Sequence, residues 1–185
     1  MLNLIALVVY ALFSLLLLFI SMASLIFFVN ALFTEAPFVP VRKKVISQII
    51  KTLNFKRSSV FYDLGCGDAR VLLEAKDQVN DIRAIGVEKN LIVYLLAKWR
   101  TRNTSIEVRL GDIESISFKN ATHIYMYLFP EIINKLLPKF KKECAKGTRI
   151  VSCDFAFNGM ETDETIELPA LKYNLCKKLY VYVLK

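Results

Sequence analysis

The sequence predicts an α/β fold: a Rossmann-like seven-stranded, mostly parallel sheet with helices on both faces, preceded by one N-terminal transmembrane helix. Three observations predict it. From residue 59 onward, short runs rich in β-branched and aromatic residues alternate with segments of helical period. That alternation implies strands joined by helical crossovers. A glycine-rich turn, Gly65-Cys66-Gly67, follows the first of these runs directly, at the place where doubly wound sheets hold their ligand. Finally, the stretch from Met1 to Thr34 contains no Asp, Glu, Lys, Arg or His, and so exceeds the roughly 20 apolar residues that cross a bilayer. The 185 residues suit one domain plus an appendage.

The apolar run at residues 1–34 is read as a retained anchor. A secretory signal would need a basic start and a shorter apolar core, and this run has neither. Residues 35–57 follow as a basic juxtamembrane segment and helix. Arg42, Lys43, Lys44, Lys51, Lys56 and Arg57 stand here against a single acid, Glu35. The excess of cations after the span places the C-terminal domain on the cytoplasmic face of a single-pass protein. It also offers a patch for anionic lipid headgroups of the bilayer. A prokaryotic membrane is favoured, because no Arg-rich segment precedes the span; the mitochondrial inner membrane fits as well. Ala36-Pro37-Phe38-Val39-Pro40 stops the first helix. Val45, Ile46, Ile49, Ile50 and Leu53 then recur at helical spacing with one buried stripe.

Residues 58–185 form the predicted α/β domain. Its elements in order are a strand at 59–64, a helix from 68 to about 76 and a strand at 84–88. A helix at 91–100, a strand at 106–110, a strand at 121–128 and a helix at 131–142 follow. A strand at 148–154 and a closing β-pair at 165–168 and 179–184 complete the sheet. The four cysteines, Cys66, Cys144, Cys153 and Cys176, form no C-x-x-C pair, and the only histidine is His123. The expectation is therefore no metal site, with the thiols reduced on a cytosolic face. No nucleic-acid reader motif or interleaved aromatic platform is present, so nucleic acid is not an expected partner.

The chemistry concentrates in Asp63-Leu64-Gly65-Cys66-Gly67-Asp68-Ala69-Arg70, between a strand and a helix. Gly65 and Gly67 lack a Cβ, so the backbone can approach a ligand closely. A nicotinamide-binding G-x-G-x-x-G would need glycine where Arg70 stands, so the fit to that motif is poor. Asp63, just before the first glycine, can offer a carboxylate to a cationic amino-acid moiety. Glu88, at the end of the second strand, is placed to accept from ribose hydroxyls. Asp112, just past the third, is placed to accept from an adenine amino group. Cofactor contacts are thus expected from Asp63, Gly65, Cys66, Gly67, Asp68, Glu88 and Asp112.

In these residues the chain resembles the class I S-adenosylmethionine-dependent methyltransferases, whose Asp-x-Gly-x-Gly-x-Gly motif Asp63 to Ala69 follows, with Ala69 at the third glycine. The resemblance implies S-adenosylmethionine as cofactor. A narrower one adds the acceptor. Pro37-Phe38-Val39-Pro40 after a membrane span, together with Tyr127-Leu128-Phe129-Pro130, is similar to a family of single-span membrane-anchored protein-lysine methyltransferases. Its mitochondrial members modify the adenine nucleotide translocase and the ATP synthase c subunit. Val41 departs from the Ser or Thr usual after the second proline. The resemblance implies a lysine of a membrane protein as substrate, with Pro37, Phe38, Pro40 and Tyr125 near it and Tyr127 and Pro130 as catalytic candidates.

Strand alternation would put Tyr125, Tyr127 and Phe129 on one face, where aromatic rings can hold an ammonium. Asp154 is a further acceptor contact, whereas His123 reads as structural. Two other readings share the cofactor motif: a membrane-anchored small-molecule or lipid methyltransferase, and a non-catalytic cofactor-binding protein.

Overall fold

The computed structural model describes residues 2–32, 41, 43–169 and 176–185. It divides the chain into two compact units, Met1–Pro37 and Phe38–Lys185. The first unit is a single helix, α1 (Leu2–Leu32), about 46 Å long at 1.5 Å per residue. Its candidate span, Leu4–Phe28, is buried nowhere against protein. A helix apolar all round meets the length and composition requirements for crossing a bilayer.

The second unit holds a seven-stranded sheet. Its strands are β1 (Val60–Leu64), β2 (Arg83–Glu88), β3 (Glu107–Leu110), β4 (His123–Met126), β5 (Arg149–Cys153), β6 (Glu164–Glu167) and β7 (Lys178–Val183). They lie in the order β3-β2-β1-β4-β5-β7-β6. β1 to β5 run parallel, while β7 is antiparallel to β5 and β6. The order reverses between β1 and β4, which makes that junction the topological switch point.

Side chains alternate across the sheet. Phe61, Ala84, Tyr125 and Val151 join one core cluster with α2 (Lys43–Leu53), α3 (Arg70–Gln78) and Ala97 of α4 (Leu91–Thr101). Leu64, Ile85, Met126 and Ile150 join the other, under Ile133, Leu136 and Phe140 of α5 (Pro130–Glu143). The predicted stripe of α2 is buried along its whole length, from Val45 to Leu53. Helices thus cover both faces, as expected.

Local differences from the sequence reading have local causes. α3 begins at Arg70, not Asp68, because Ala69 takes a left-handed conformation (φ 64) and prolongs the turn. β4 ends at Met126, so Phe129 is the N-cap of α5. Of the three aromatics expected on one strand face, Tyr125 alone is therefore on β4; Tyr127 and Phe129 lie past its end, and the Phe129 ring is 6.2 Å from that of Phe155. A 3-10 turn at Ile113–Ser115 adds to the predicted elements. Cys153 and Cys176 are joined by a disulfide, with Cα atoms 6.1 Å apart. The expectation of four reduced thiols is corrected on this point. The antiparallel pairing of β5 with β7 carries the end of one strand to the start of the other, within the Cα range of a disulfide.

Candidate functional site

The C-terminal ends of β1, β2 and β4 converge at the switch point. Asp63 is buried within β1 and stands opposite Gly86 of β2 and Tyr125 of β4. Among the described residues, its Oδ2 has no hydrogen-bond partner, and neither has the hydroxyl of Tyr125. Burial first, then the Glu88 and Asp68 carboxylates, push the Asp63 carboxyl well above the usual range. Burial first, then the Asp63 and Glu88 carboxyls, push the Cys66 thiol up. The site thus sets the Glu88 and Asp68 carboxylates near a buried acid whose Oδ2 lacks a donor among the described residues, which suits a cationic ligand and penalises a pyrophosphate.

The glycine turn follows Asp63 directly and borders this site. Gly65 (φ 72) and Gly67 (φ 57) both take the left-handed region, where glycine is unstrained. A Cβ on Gly65 would stand 2.9 Å from the Leu128 side chain. The backbone N–H groups of Gly65 and Cys66 donate to the Val87 carbonyl, at 2.9 and 3.0 Å. Glu88 ties the turn to the next helix. Its Oε2 accepts from the Gly67 N–H (3.0 Å) and its Oε1 from the Asn90 N–H (2.9 Å). A carboxylate offers about four lone-pair sites, so capacity for ribose hydroxyls remains.

Asp112 stands beside this arrangement, because the Gly111 N–H donates to the Glu88 carbonyl at 3.0 Å. One Asp112 oxygen caps the 3-10 turn through the Glu114 N–H, and the other pairs with Lys89 at 3.2 Å. The capping bond first, and then Lys89, hold its carboxyl below the usual range.

Asp68 is differently engaged. Its two oxygens take the Arg70 guanidinium in a fork, each at 2.8 Å, and Arg100 of α4 binds one of them. Burial opposes its charge, yet Arg70 and Arg100 prevail and keep the carboxyl low. Arg70 also reaches the Val41 carbonyl at 2.9 Å. Asp68 therefore fastens the turn to α4 and to the segment ahead of α2.

On the acceptor side, the Tyr127 hydroxyl donates to Asp154 Oδ2 at 3.0 Å. Asp154 (φ 62) holds its other oxygen against the Lys177 and Lys178 N–H groups, at 2.6 and 3.0 Å. Burial first, then Asp154, push the Tyr127 phenol up. Pro130 is exposed at the first turn of α5. Tyr125, expected in the acceptor channel, is instead closed in beside Asp63. Pro37, Phe38 and Pro40 lie outside the described residues.

His123 sits at the opposite, N-terminal end of β4, 5.0 Å from the Phe55 ring. Burial first, then Arg149, bring its pKa down to about 4, as fits a structural residue. Among the described residues, Cys153, Asp154 and Cys176 are the set whose ligating atoms cluster within 4.8 Å. Their sulfurs are bonded to each other, so neither is the thiolate a metal requires.

Sequence reasoning missed Asn90 and Arg100. Asn90 caps α4 through the Ile92 and Val93 N–H groups, and an Asn just before an apolar helical run is a readable start signal. Nothing local marks Arg100 as the partner of an aspartate 32 residues earlier.

The family described as "ANTKMT methyltransferase domain" matches residues 63–164, which contain Asp63, Glu88, Asp112, Tyr127 and Asp154. A protein-lysine N-methyltransferase of Saccharolobus islandicus is 30% identical over 154 residues, covering 81% of this chain and 94% of the relative. A lysine N-methyltransferase of Mus musculus, named for the c subunit of ATP synthase, is 23% identical and covers 70% of this chain; the chain spans about half of that relative, 53%. In structure, an RNA methyltransferase of Salinibacter ruber in complex with S-adenosyl-L-homocysteine superposes with a TM-score of 0.72 at 26% identity. That match covers 79% of this chain and 94% of the other.

Proposed function

The chain belongs to the ANTKMT methyltransferase family, S-adenosylmethionine-dependent protein-lysine methyltransferases, and from that premise we propose that its acceptor is a lysine of a membrane-embedded protein. The acid pocket carries the cofactor half of this reading: the orphaned Oδ2 of Asp63, beside Glu88 and a backbone turn open to close approach. S-adenosylmethionine is cationic at its amino group and its sulfonium, and the residues present fit it. Asp63 would accept from the ammonium, Gly65, Cys66 and Gly67 would line the chain, Glu88 would take the ribose hydroxyls and Asp112 the adenine amino group. Asp68 supports the turn from behind.

When bound, the cofactor supplies a methyl group already activated on sulfur. The chain's own residues then have to exclude water and hold a neutral amine in line. Tyr127 and Pro130 form the wall past the end of β4, and Asp154 positions Tyr127. Tyr125 closes the floor beneath Asp63. Pro37, Phe38 and Pro40 remain part of the proposed acceptor entrance.

Residues 1–34 would serve as anchor, 35–57 as a basic segment and 58–185 as the methyltransferase domain. α1 supports a place at the bilayer. Two relatives' names point the same way, one acting on the c subunit of ATP synthase and one on the adenine nucleotide translocase. The flanking cations favour a cytoplasmic domain.

Native membranes incubated with methyl-labelled S-adenosylmethionine test the reading. Label recovered as methyl-lysine in a protein band, and lost with Asp63→Asn, is the expected result. Label in the lipid or RNA extract instead would replace the acceptor. Cofactor binding without any transfer would favour the non-catalytic reading.

A further inference from the structure

α4 is fixed to the domain by one side and leaves the other uncovered. Ala97 and Thr101 are its buried residues, and Arg100 is held by Asp68. The opposite side presents Leu91, Ile92, Leu95, Leu96 and Trp99, with Leu95 56% and Trp99 62% exposed. Five large apolar side chains on three helical turns make a contiguous patch of the kind monomeric soluble domains rarely leave bare. The fastening by Asp68 and the buried Ala97–Thr101 edge prevent α4 from rolling this patch inward.

The charges around the patch state what covers it. From Lys89 to Ile106 the chain has four cations, Lys89, Lys98, Arg100 and Arg102, and no acid. Lys98 and Arg102 are exposed; at 100° per residue Lys98 borders one edge of the apolar stripe, and Arg102, the C-cap, stands at its end. The Arg102 guanidinium lies 4.8 Å from the centre of the Trp99 ring. An apolar face with a tryptophan at its centre and long cationic side chains at its rim matches a bilayer interface. There the indole sits at headgroup depth and the cations reach out to lipid phosphates. A second copy of α4 would instead set this cationic rim against itself.

We propose that α4 lies in the interface of an anionic bilayer, with Ile92 and Leu95 below the headgroups, Trp99 at the boundary between headgroups and acyl chains, and Lys98 and Arg102 on the phosphates. This deepens, and rests on, the reading of a membrane-embedded acceptor. α4 starts at the cofactor pocket, because the backbone N–H of its N-cap Asn90 donates to Glu88. Seating α4 therefore brings the pocket to the lipid surface by means of the catalytic unit's own side chains.

Trp99 is the only tryptophan of the chain, so its emission reads α4 alone. The full chain is reconstituted in vesicles of equal parts phosphatidylcholine and phosphatidylglycerol, with acyl chains either plain or brominated. The expected result is an emission about two-fold weaker with brominated chains, as for an indole at the acyl boundary. The double variant Ile92→Ser, Leu95→Ser alters exposed positions only and restores emission toward the unbrominated level. The double variant Lys98→Glu, Arg102→Glu does the same.

Equal emission in both vesicles overturns the proposal. So does an emission that shifts with protein density but ignores bromine, which would assign the patch to a second copy. Methyl transfer to a membrane protein, followed in the same vesicles, reports on the acceptor separately. Transfer with an unquenched Trp99 overturns the seating of α4 alone, and quenching without transfer overturns the acceptor reading alone.

Discussion

Asp63 binds protons more readily in the fold than in the unfolded chain, because burial and two neighbouring acids raise its pKa. Between the ordinary carboxylate value and the raised one, the folded state holds the extra proton, so this group makes stability fall as pH rises. Asp63→Asn removes that slope. The variant without cofactor is expected to be more stable than the parent at neutral and mildly alkaline pH in denaturant melts. The same change deletes a charge-assisted hydrogen bond worth roughly 1.5–3 kcal/mol, so S-adenosylmethionine affinity by calorimetry should fall about 10- to 100-fold. Tyr127→Phe separates acceptor from cofactor. It should cost about 1 kcal/mol of stability through the lost Asp154 bond and lower methyl transfer while leaving the cofactor Kd unchanged.

At the scale of elements, two close approaches in the sheet are testable. Gly86 sits in β2 where a Cβ would lie 2.6 Å from Leu72 Cδ1 and 2.7 Å from Cys66 Sγ. Gly86→Ala should therefore destabilise the chain by about 1–3 kcal/mol through overpacking, read as a lower urea midpoint with unchanged m. The Cys153–Cys176 disulfide closes a loop with a sequence separation of 23. By chain entropy it contributes about 3 kcal/mol, so dithiothreitol or Cys176→Ser should lower Tm by several degrees.

Neither feature could be read from the sequence. Gly86 looks like any small residue in a strand until α3 and the glycine turn close over it. The cysteine pair depends on β7 folding back antiparallel onto β5. What periodicity and turn chemistry do encode came through: the α2 stripe, the strand before Gly65, and the acids at the ends of β1, β2 and β3. Phe129 went astray because β4 stops at Met126, short of it, and Pro130 starts a helix.

At the scale of the whole molecule, the two units divide the work. Deleting residues 1–33 removes α1 and leaves the core clusters and the acid pocket in the second unit. The truncated chain is expected to keep its cofactor affinity within about two-fold and to lose a factor of about 10²–10⁴ in transfer to a bilayer-embedded acceptor. That is the scale of the advantage tethering gives. Equal rates for both chains on reconstituted membranes would contradict a role for the anchor.

The strand order has a consequence in time. β1 is an interior strand of the sheet, but its second neighbour, β4, is synthesised some sixty residues later: Phe61 pairs with His123. Contacts so distant along the chain form late, since loop closure precedes any reward. A nascent chain at the ribosome thus exposes α1 before the strands and gains its switch point only when β4 has emerged. Under the anchoring proposed above, the apolar segment would be ready for insertion while the domain behind it is still unable to hold its cofactor, so the chain would reach a bilayer before it acquires an activity to misdirect.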